Sequence, residues 1–151
     1  MKDDFLWVEK YRPTHIEHCI LPKDIKDTFQ SFVKKGEVPN LLLCGTAGIG
    51  KTTIAKALCN EIGVDSYMIN GSDEGRFLDT VRNSAKQFAS TVSLTSSSKH
   101  KVIIIDEADN TTHDVQLLLR ASIEEFQKNC RFIFTCNFKN KIIEPLHSRT
   151  T

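Results

Sequence analysis

The sequence predicts an α/β fold, a parallel sheet with helices on both faces, and three observations carry that prediction. Short segments that read as strands at 41–44, 66–70, 102–105 and 132–136 alternate with stretches of helical periodicity, the order expected of right-handed strand–helix–strand crossovers. The run Val102 to Ile105 is unbroken and β-branched, which marks a strand buried on both faces of a parallel sheet. Between the first run and the helical pattern after it stands Gly45-Thr46-Ala47-Gly48-Ile49-Gly50-Lys51-Thr52. It fits G-x-x-x-x-G-K-[ST] at every fixed position, in the strand–loop–helix setting that the motif requires.

The elements follow in order. Phe5 to Pro13 reads as an extended arm, because Pro13 biases Arg12 away from helix. A helix is predicted from about Pro22 to Lys35 with Ile25, Phe29 and Phe32 on one face; Gly36 stops it, and Pro39-Asn40 leads into a strand at Leu41 to Cys44. The helix after the octapeptide carries Ile54, Leu58 and Ile62, and Ser66 to Asn70 reads as a second strand. Phe77, Val81, Ala85 and Phe88 recur at helical spacing, and the serine-rich stretch Ser93 to His100 reads as a loop. The strand at 102–105 precedes a helix with Val115, Leu118, Leu119, Ser122, Ile123 and Phe126 turned inward. A strand from Phe132 to Cys136 and a short helix near Lys141 to Leu146 complete the pattern. There is no internal repeat and no domain linker.

Composition narrows the function classes. The 151 residues are one domain's worth of chain. Lysine plus arginine number 20 against 19 aspartates and glutamates, so no whole-chain field draws it to nucleic acid, and any such contact needs a local patch or an assembly. No apolar run approaches about 18 residues and no signal-peptide pattern is present, so we expect a soluble cytoplasmic protein without membrane contact. The cysteines, Cys19, Cys44, Cys59, Cys130 and Cys136, are odd in number and form no C-x-x-C pair. Buried reduced thiols are expected, with neither disulfides nor zinc.

The octapeptide chemistry is that of polyphosphate binding. Gly45, Gly48 and Gly50 let successive backbone N–H groups curl around phosphates at a helix N-terminus. Lys51 can reach the β- and γ-phosphates, and Thr52 can place its hydroxyl on Mg²⁺. Asp106-Glu107 ends the buried run at 102–105; in isolation this is an ordinary strand-end turn. Downstream of a phosphate loop, Asp106 can hold Mg²⁺ beside Thr52 and Glu107 can polarise the water attacking the γ-phosphate. Asn137, at the next strand end, can hydrogen-bond the γ-phosphate or that water, against the plain reading of an asparagine turn. Arg149 alone is a surface arginine, although its planar fork is also the device that meets developing phosphate charge.

Taken together, these residues resemble the AAA+ sliding-clamp loaders across nearly the whole chain. Trp7-Val8-Glu9-Lys10-Tyr11-Arg12-Pro13 matches the W-x-x-K-Y-R-P opening of clamp-loader ATPase subunits. Asn70-Gly71-Ser72-Asp73, then Val81-Arg82 and Phe88-Ala89, is similar to their N-x-S-D…V-R…F-A segment, Asp106-Glu107-Ala108-Asp109 to their acidic motif, and Ser148-Arg149 to the start of their S-R-C motif. The spacing and Cys19-Ile20-Leu21-Pro22 are most similar to the large ATPase subunit of tailed-phage clamp loaders, which would place the protein in a host cytoplasm. The resemblance implies a P-loop NTPase (AAA+) parallel sheet with helices on both faces, residues 1–151 forming one RecA-like ATPase domain. Val8, Glu9, Lys10, Tyr11 and Ile20 would line the adenine site, and Gly48 to Thr53, including Ile49 and Thr53, would wrap the phosphates of ATP. Asp106 and Glu107 would act on Mg²⁺ and water, Asn137 as the γ-phosphate sensor, and Arg149 in trans on a neighbouring subunit's site. Gln116 falls where phage loaders are thought to couple DNA to the ATP site. Arg76, Arg82 and Lys86 could track template phosphates or simply form a solvated helix face. The partners implied are a sliding clamp, primer–template DNA and other loader subunits in a ring.

The sequence also departs from the family. Thr150 stands where a cysteine follows the arginine, and Gly75-Arg76 stands where the cellular loaders have Arg-Gly. Family members continue past Arg149 into a last strand, a helical lid and a collar. The domain is therefore expected to be incomplete at its C-terminus, with Leu41 to Cys44 an exposed edge, marginal stability, weak nucleotide binding and little turnover. Three rival readings remain. A DEAD-type RNA helicase shares Asp106 to Asp109 but needs an upstream glutamine motif and a Ser-Ala-Thr that the sequence lacks. Branch-migration motors carry a box similar to Lys10-Tyr11-Arg12-Pro13, whereas initiators do not. The last is a truncated piece that only binds partners.

Overall fold

The computed structural model describes residues 23–45, 50–72, 101–127 and 130–150, together with the single positions 83 and 87. Four strands form one sheet in the order β1-β4-β3-β2, with β1 at Leu41–Cys44, β2 at Ser66–Asn70, β3 at Lys101–Asp106 and β4 at Cys130–Cys136. All three pairings are parallel. Parallel neighbours cannot be joined by tight turns, so each connection must cross a face, and this is why helices alternate with strands along the chain.

Four α-helices are described: α1 Lys23–Lys35, α2 Lys51–Ile62, α3 His113–Glu125 and α4 Glu144–Arg149. Helix α1 carries Asp24 in its first turn and Lys34 and Lys35 in its last, charges that complement its dipole. Gly36 ends it in the left-handed conformation (φ 69°), where its N–H and that of Glu37 reach back to the Phe32 carbonyl. Thr112 starts α3 by accepting a hydrogen bond from the Val115 N–H at 3.3 Å.

Strand alternation divides the core into two layers. Val102 and Ile104 of β3 point to one face, where Phe29 of α1 and Ile54, Ala55 and Leu58 of α2 cover them. Ile103 and Ile105 point to the other, against Val115, Leu119 and Ile123 of α3 and Leu146 of α4. All four β3 residues are at most 1% exposed, as the β-branched run predicts. Burial on this scale is worth about 25 cal/mol per Å² of apolar surface and supplies the main drive to fold. Asn40 fixes the start of the β1–β4 pairing, its Oδ1 accepting the Phe132 N–H at 2.9 Å. Strand β1 ends the sheet, and among the described residues nothing pairs with its outer edge.

Several expectations need correcting. Ile25, expected on one face of α1 with Phe29 and Phe32, is 42% exposed, whereas Phe29 one turn later is buried. Phe126 caps α3 rather than lying within it, and β4 begins at Cys130. The short helix expected near Lys141 to Leu146 is a 3₁₀ turn at Lys139–Lys141, an extended pair at Ile142-Ile143, and then α4. Pro145 occupies the first turn of α4, where its missing N–H costs nothing, and Ile142 is buried while extended. Of the thiols, Cys59, Cys130 and Cys136 are buried, but Cys44 is exposed where β1 leaves the sheet. The arm at Phe5 to Pro13, the periodic stretch at 77–88, the serine-rich loop and Cys19 lie outside the described residues. No helix among the described residues is long and apolar enough to cross a membrane.

Burial raises the Cys59 thiol from 9.0 to about 12. The unfolded chain therefore releases this proton first, so the contribution to stability is complete below pH 9 and is lost as the pH rises towards 12, by up to about 1.4 kcal/mol per pH unit. Urea denaturation at a series of alkaline pH values should show a steeper decline for the wild type than for Cys59→Ala.

Candidate functional site

The C-terminal ends of β1, β3 and β4 converge with the start of α2. In an open parallel sheet this is the rim where ligands bind. The residues there enclose a cleft of about 260 Å³, lined among others by Lys51, Thr52, Thr53, Asp106, Glu107 and Asn137.

Gly50 opens α2 in the left-handed conformation (φ 79°), and its carbonyl accepts the first helical bond, from the Ile54 N–H at 2.9 Å. A side chain at that φ would be strained, which is why the position needs glycine. No side chain caps α2 at Gly50, so its first N–H groups face the cleft with the positive end of the helix dipole. Lys51 follows, and its ammonium spans the cleft floor. It donates to the Gly45 carbonyl and to Asn137 Oδ1, each at 2.9 Å. One cation thus joins the end of β1 to the residue just past β4.

Thr52 Oγ1 donates to Asp106 Oδ1 at 2.7 Å, and Thr135 Oγ1 donates to the same oxygen at 2.6 Å. Thr135 is 1% exposed and also accepts the Glu107 N–H at 3.0 Å. Glu107 is the one non-glycine residue with positive φ among the described residues (φ 55°), a conformation that costs about 1–2 kcal/mol. Such strain persists where the surroundings over-determine it. Here the Thr135 hydroxyl fixes the Glu107 N–H, and Gly71 presses from β2, its N–H donating to the Asp106 carbonyl at 2.7 Å. Asp109, on the 3₁₀ turn Ala108–Asn110, accepts the N–H groups of Asn137 and Phe138, both at 3.1 Å on Oδ2.

The Cys136 thiol, at the β4 tip, is pushed up to about 12 by burial and then by the Cys44 thiol, whose sulfur is 2.9 Å away. Cys136 is thus a neutral thiol at the site's edge rather than a charge within it.

The donor set suits a hard divalent cation. A hydroxyl and a carboxylate oxygen lie 2.7 Å apart, and among the described residues no group of three or more His, Cys, Asp or Glu side chains could form a closed metal cage. Mg²⁺ commonly takes one or two protein oxygens and completes its shell with water and phosphate. Thr52 and Asp106 fit that ion.

The structure brings Gly45, Gly50, Lys51, Thr52, Thr53, Asp106, Glu107 and Asn137 together, as the sequence analysis expects. Gly48 and Ile49, the adenine candidates Val8, Glu9, Lys10, Tyr11 and Ile20, and the DNA candidates Arg76, Arg82 and Lys86 lie outside the described residues. Arg149 ends α4, and its side chain also lies outside the description. Thr135 and Asp109 were missed as site residues. Thr135 sits two positions before Asn137 and Asp109 two after Glu107, so motif spacing held the only available signal. Gln116 does not line the cleft. It is 2% exposed, donates to the Lys141 carbonyl at 2.9 Å and the Thr111 carbonyl at 3.4 Å, and accepts the Ile143 N–H at 2.7 Å.

A parallel sheet, a phosphate loop opening α2, and an acidic strand end bonded to the loop threonine define a P-loop nucleotide-binding domain. Residues 41–151 match the model of the ATPase family associated with various cellular activities (AAA), and the chain belongs to that family. It is 46% identical over 149 residues to the replication factor C small subunit of Methanoculleus marisnigri, covering 95% of this chain and 46% of the relative. To replication factor C subunit 4 of Saccharomyces cerevisiae it is 42% identical over 148 residues, with the same two coverages. The chain therefore spans about half the length of the curated relatives it matches. Among solved structures, the Thermotoga maritima RuvB Holliday junction branch migration motor superposes with a TM-score of 0.69 at 22% identity, over 92% of this chain and 46% of that one. At that identity the likeness shows the fold alone.

Replacing Gln116 with Leu should leave partly buried backbone groups at 111, 141 and 143 without this partner. A loss of about 1–3 kcal/mol is expected, read as a lower midpoint in thermal or urea unfolding, with nucleotide affinity changed far less than stability.

Proposed function

We propose that this chain is the ATP-binding and hydrolysing part of a DNA replication clamp-loader subunit. The observation that carries the nucleotide half is the bridge from Lys51 to Gly45 and Asn137 beside the Thr52–Asp106 pair. The loader half is supported by 42–46% identity to replication factor C subunits over nearly the whole chain, together with the Trp7 to Pro13 box. That identity favours a loader over a branch-migration motor, for which the likeness is at the level of fold.

In this reading Lys51 exchanges its Gly45 and Asn137 partners for β- and γ-phosphate oxygens, while Gly45, Gly48, Ile49, Gly50, Thr52 and Thr53 surround the phosphates. Val8, Glu9, Lys10, Tyr11 and Ile20 close over adenine. Thr52 and Asp106 would hold Mg²⁺, which neutralises charge on the phosphate oxygens when bound. Glu107 orients the attacking water and takes its proton. It borders the cleft, and its left-handed backbone is held by the bond from its N–H to the Thr135 hydroxyl. Asn137, released by Lys51, contacts the γ-phosphate. Arg149 completes a neighbouring subunit's site by stabilising developing charge. ATP binding would grip a sliding clamp and primer–template DNA, with Arg76, Arg82 and Lys86 on the template backbone, and hydrolysis would release the closed clamp. The finer assignment is the large subunit of a tailed-phage loader, supported by the Cys19 to Pro22 wording and acting in a host cytoplasm.

Mg·ATP at ~100 times its Kd should raise the stability of the chain by ~2.7 kcal/mol, a shift in Tm of about 5–11 °C. Lys51→Ala should abolish that shift; an equal shift in wild type and variant would remove the nucleotide reading. Glu107→Gln should keep the shift while turnover falls about 10²-fold or more. Stimulation of turnover by primed DNA with a clamp, and not by a four-way junction, separates a loader from a branch-migration motor.

A further inference from the structure

An acidic side chain at the edge of a polyphosphate site is electrostatically unfavourable, because it repels the ligand. Asp106 and Glu107 have roles there that need a negative charge. Asp109 also borders the cleft, is only 9% exposed, and has no part in the chemistry above.

Its bonds supply a reason. Past Cys136 the chain leaves the sheet, and the last rung between β1 and β4 among the described residues is the Gly45 N–H on the Cys136 carbonyl at 3.2 Å. The N–H groups of Asn137 and Phe138 find their acceptor in Asp109 Oδ2. A carboxylate accepting two main-chain N–H groups forms charge-assisted bonds, about twice as strong as neutral ones. Thr135 ties the same two segments in the opposite sense, from β4 to Asp106 Oδ1 and the Glu107 N–H. The acidic turn and the β4 tip are thus cross-braced, each holding the other's backbone with a side chain. Asn137 emerges from this brace with its side-chain oxygen on Lys51.

We propose that Asp109 is a positioning residue that sets Asn137 for discrimination of ATP from ADP, and that through the turn it shares with Glu107 it ties γ-phosphate sensing to the water-activating carboxylate. The proposal rests on the nucleotide reading given above. Asp109 acts through Asn137, so removing it disables sensing of the γ-phosphate without removing the groups that bind the rest of the nucleotide.

The test is the ratio of affinities for Mg·ATPγS and Mg·ADP, measured on the full chain by calorimetry or fluorescence. Asp109→Ala should lower that ratio by about tenfold or more, to the level of Asn137→Ala, with ADP affinity held within a few-fold. Asp109→Asn, which keeps an oxygen acceptor, should retain most of the preference. The double variant Asp109→Ala/Asn137→Ala should be no worse than either single variant, since both remove one interaction. Additive losses, an unchanged ratio, or equal weakening of ADP and ATPγS would each overturn the proposal. If Asp109→Ala does not fold, Asp109→Ser, too short to reach both N–H groups, takes its place; if neither folds, Asp109 is a folding residue and the proposal fails. Lys51→Ala separates the two readings. If it binds ATPγS as well as wild type does, the nucleotide reading itself is wrong. If it does not, and Asp109→Ala leaves the ratio unchanged, the positioning proposal alone is wrong.

Discussion

Asp106 Oδ1 accepts hydroxyl protons from two elements at once, Thr52 at the start of α2 and Thr135 near the end of β4, and the rest of the site hangs on that oxygen. One donor comes from a helix and the other from the adjacent strand β4, so the carboxylate is fixed by elements other than its own strand. Hydrogen bonds to an ionised acceptor are among the stronger ones in proteins. They leave the second oxygen of the carboxylate and the Thr52 lone pairs free of this particular pairing. That is the arrangement a hard cation needs, with its protein oxygens already gathered and little left to order on binding.

The geometry can be this defined because the strand behind it is buried on both faces. Ile103, Ile104 and Ile105 are fully buried between the two helical layers, and any shift of β3 along its axis would break its register with β2 and β4 together. An apolar residue out of register on a strand buried on both faces meets a filled layer, and interiors packed at crystal-like density do not absorb that. The polar rim thus inherits its positions from an apolar core that makes no direct contact with a ligand. The sheet order adds a second constraint. Strand β4 lies between β1 and β3, so its tip is the natural place for a residue that must touch both the phosphate loop and the acidic motif. Asn137 follows that tip directly.

Much of this was legible from the amino-acid order, and what was not has physical causes. The strands were readable because parallel, doubly covered strands demand continuous apolar runs, and Val102 to Ile105 satisfies only that environment. Lys51, Thr52, Asp106 and Glu107 were readable because their chemistry fixes residue type at fixed spacing. Thr135 and Asp109 were not, since their work is to bond backbone N–H groups and a neighbouring carboxylate across strands whose adjacency no local pattern reveals. The boundary near Lys141 to Leu146 was misplaced for a similar reason. Periodicity there suggests helix, but the Gln116 carboxamide oxygen takes the Ile143 N–H and holds Ile142-Ile143 extended, so α4 starts only at Glu144. Ile25 shows the opposite error, a periodic position that stays 42% exposed among the described residues.

Gln116 also explains how a helix remote from the cleft keeps its place. Helix α4 has six residues, too few to persist alone, since isolated helices shorter than about 12–15 residues are marginal in water. Its position comes from Leu146 in the core and from the tether of Gln116 to the segment before it. That tether starts on α3, which follows the 3₁₀ turn bearing Asp109, and Asp109 in turn holds the β4 tip. The chain of bonded groups therefore runs from Asn137 through Asp109 and the start of α3 to Gln116 and the approach to α4. Each link is a buried or half-buried polar contact with a main-chain group. A displacement at one end would cost bonds at the next or move the next element with it. Arg149, the last residue of α4, lies at the far end of that chain.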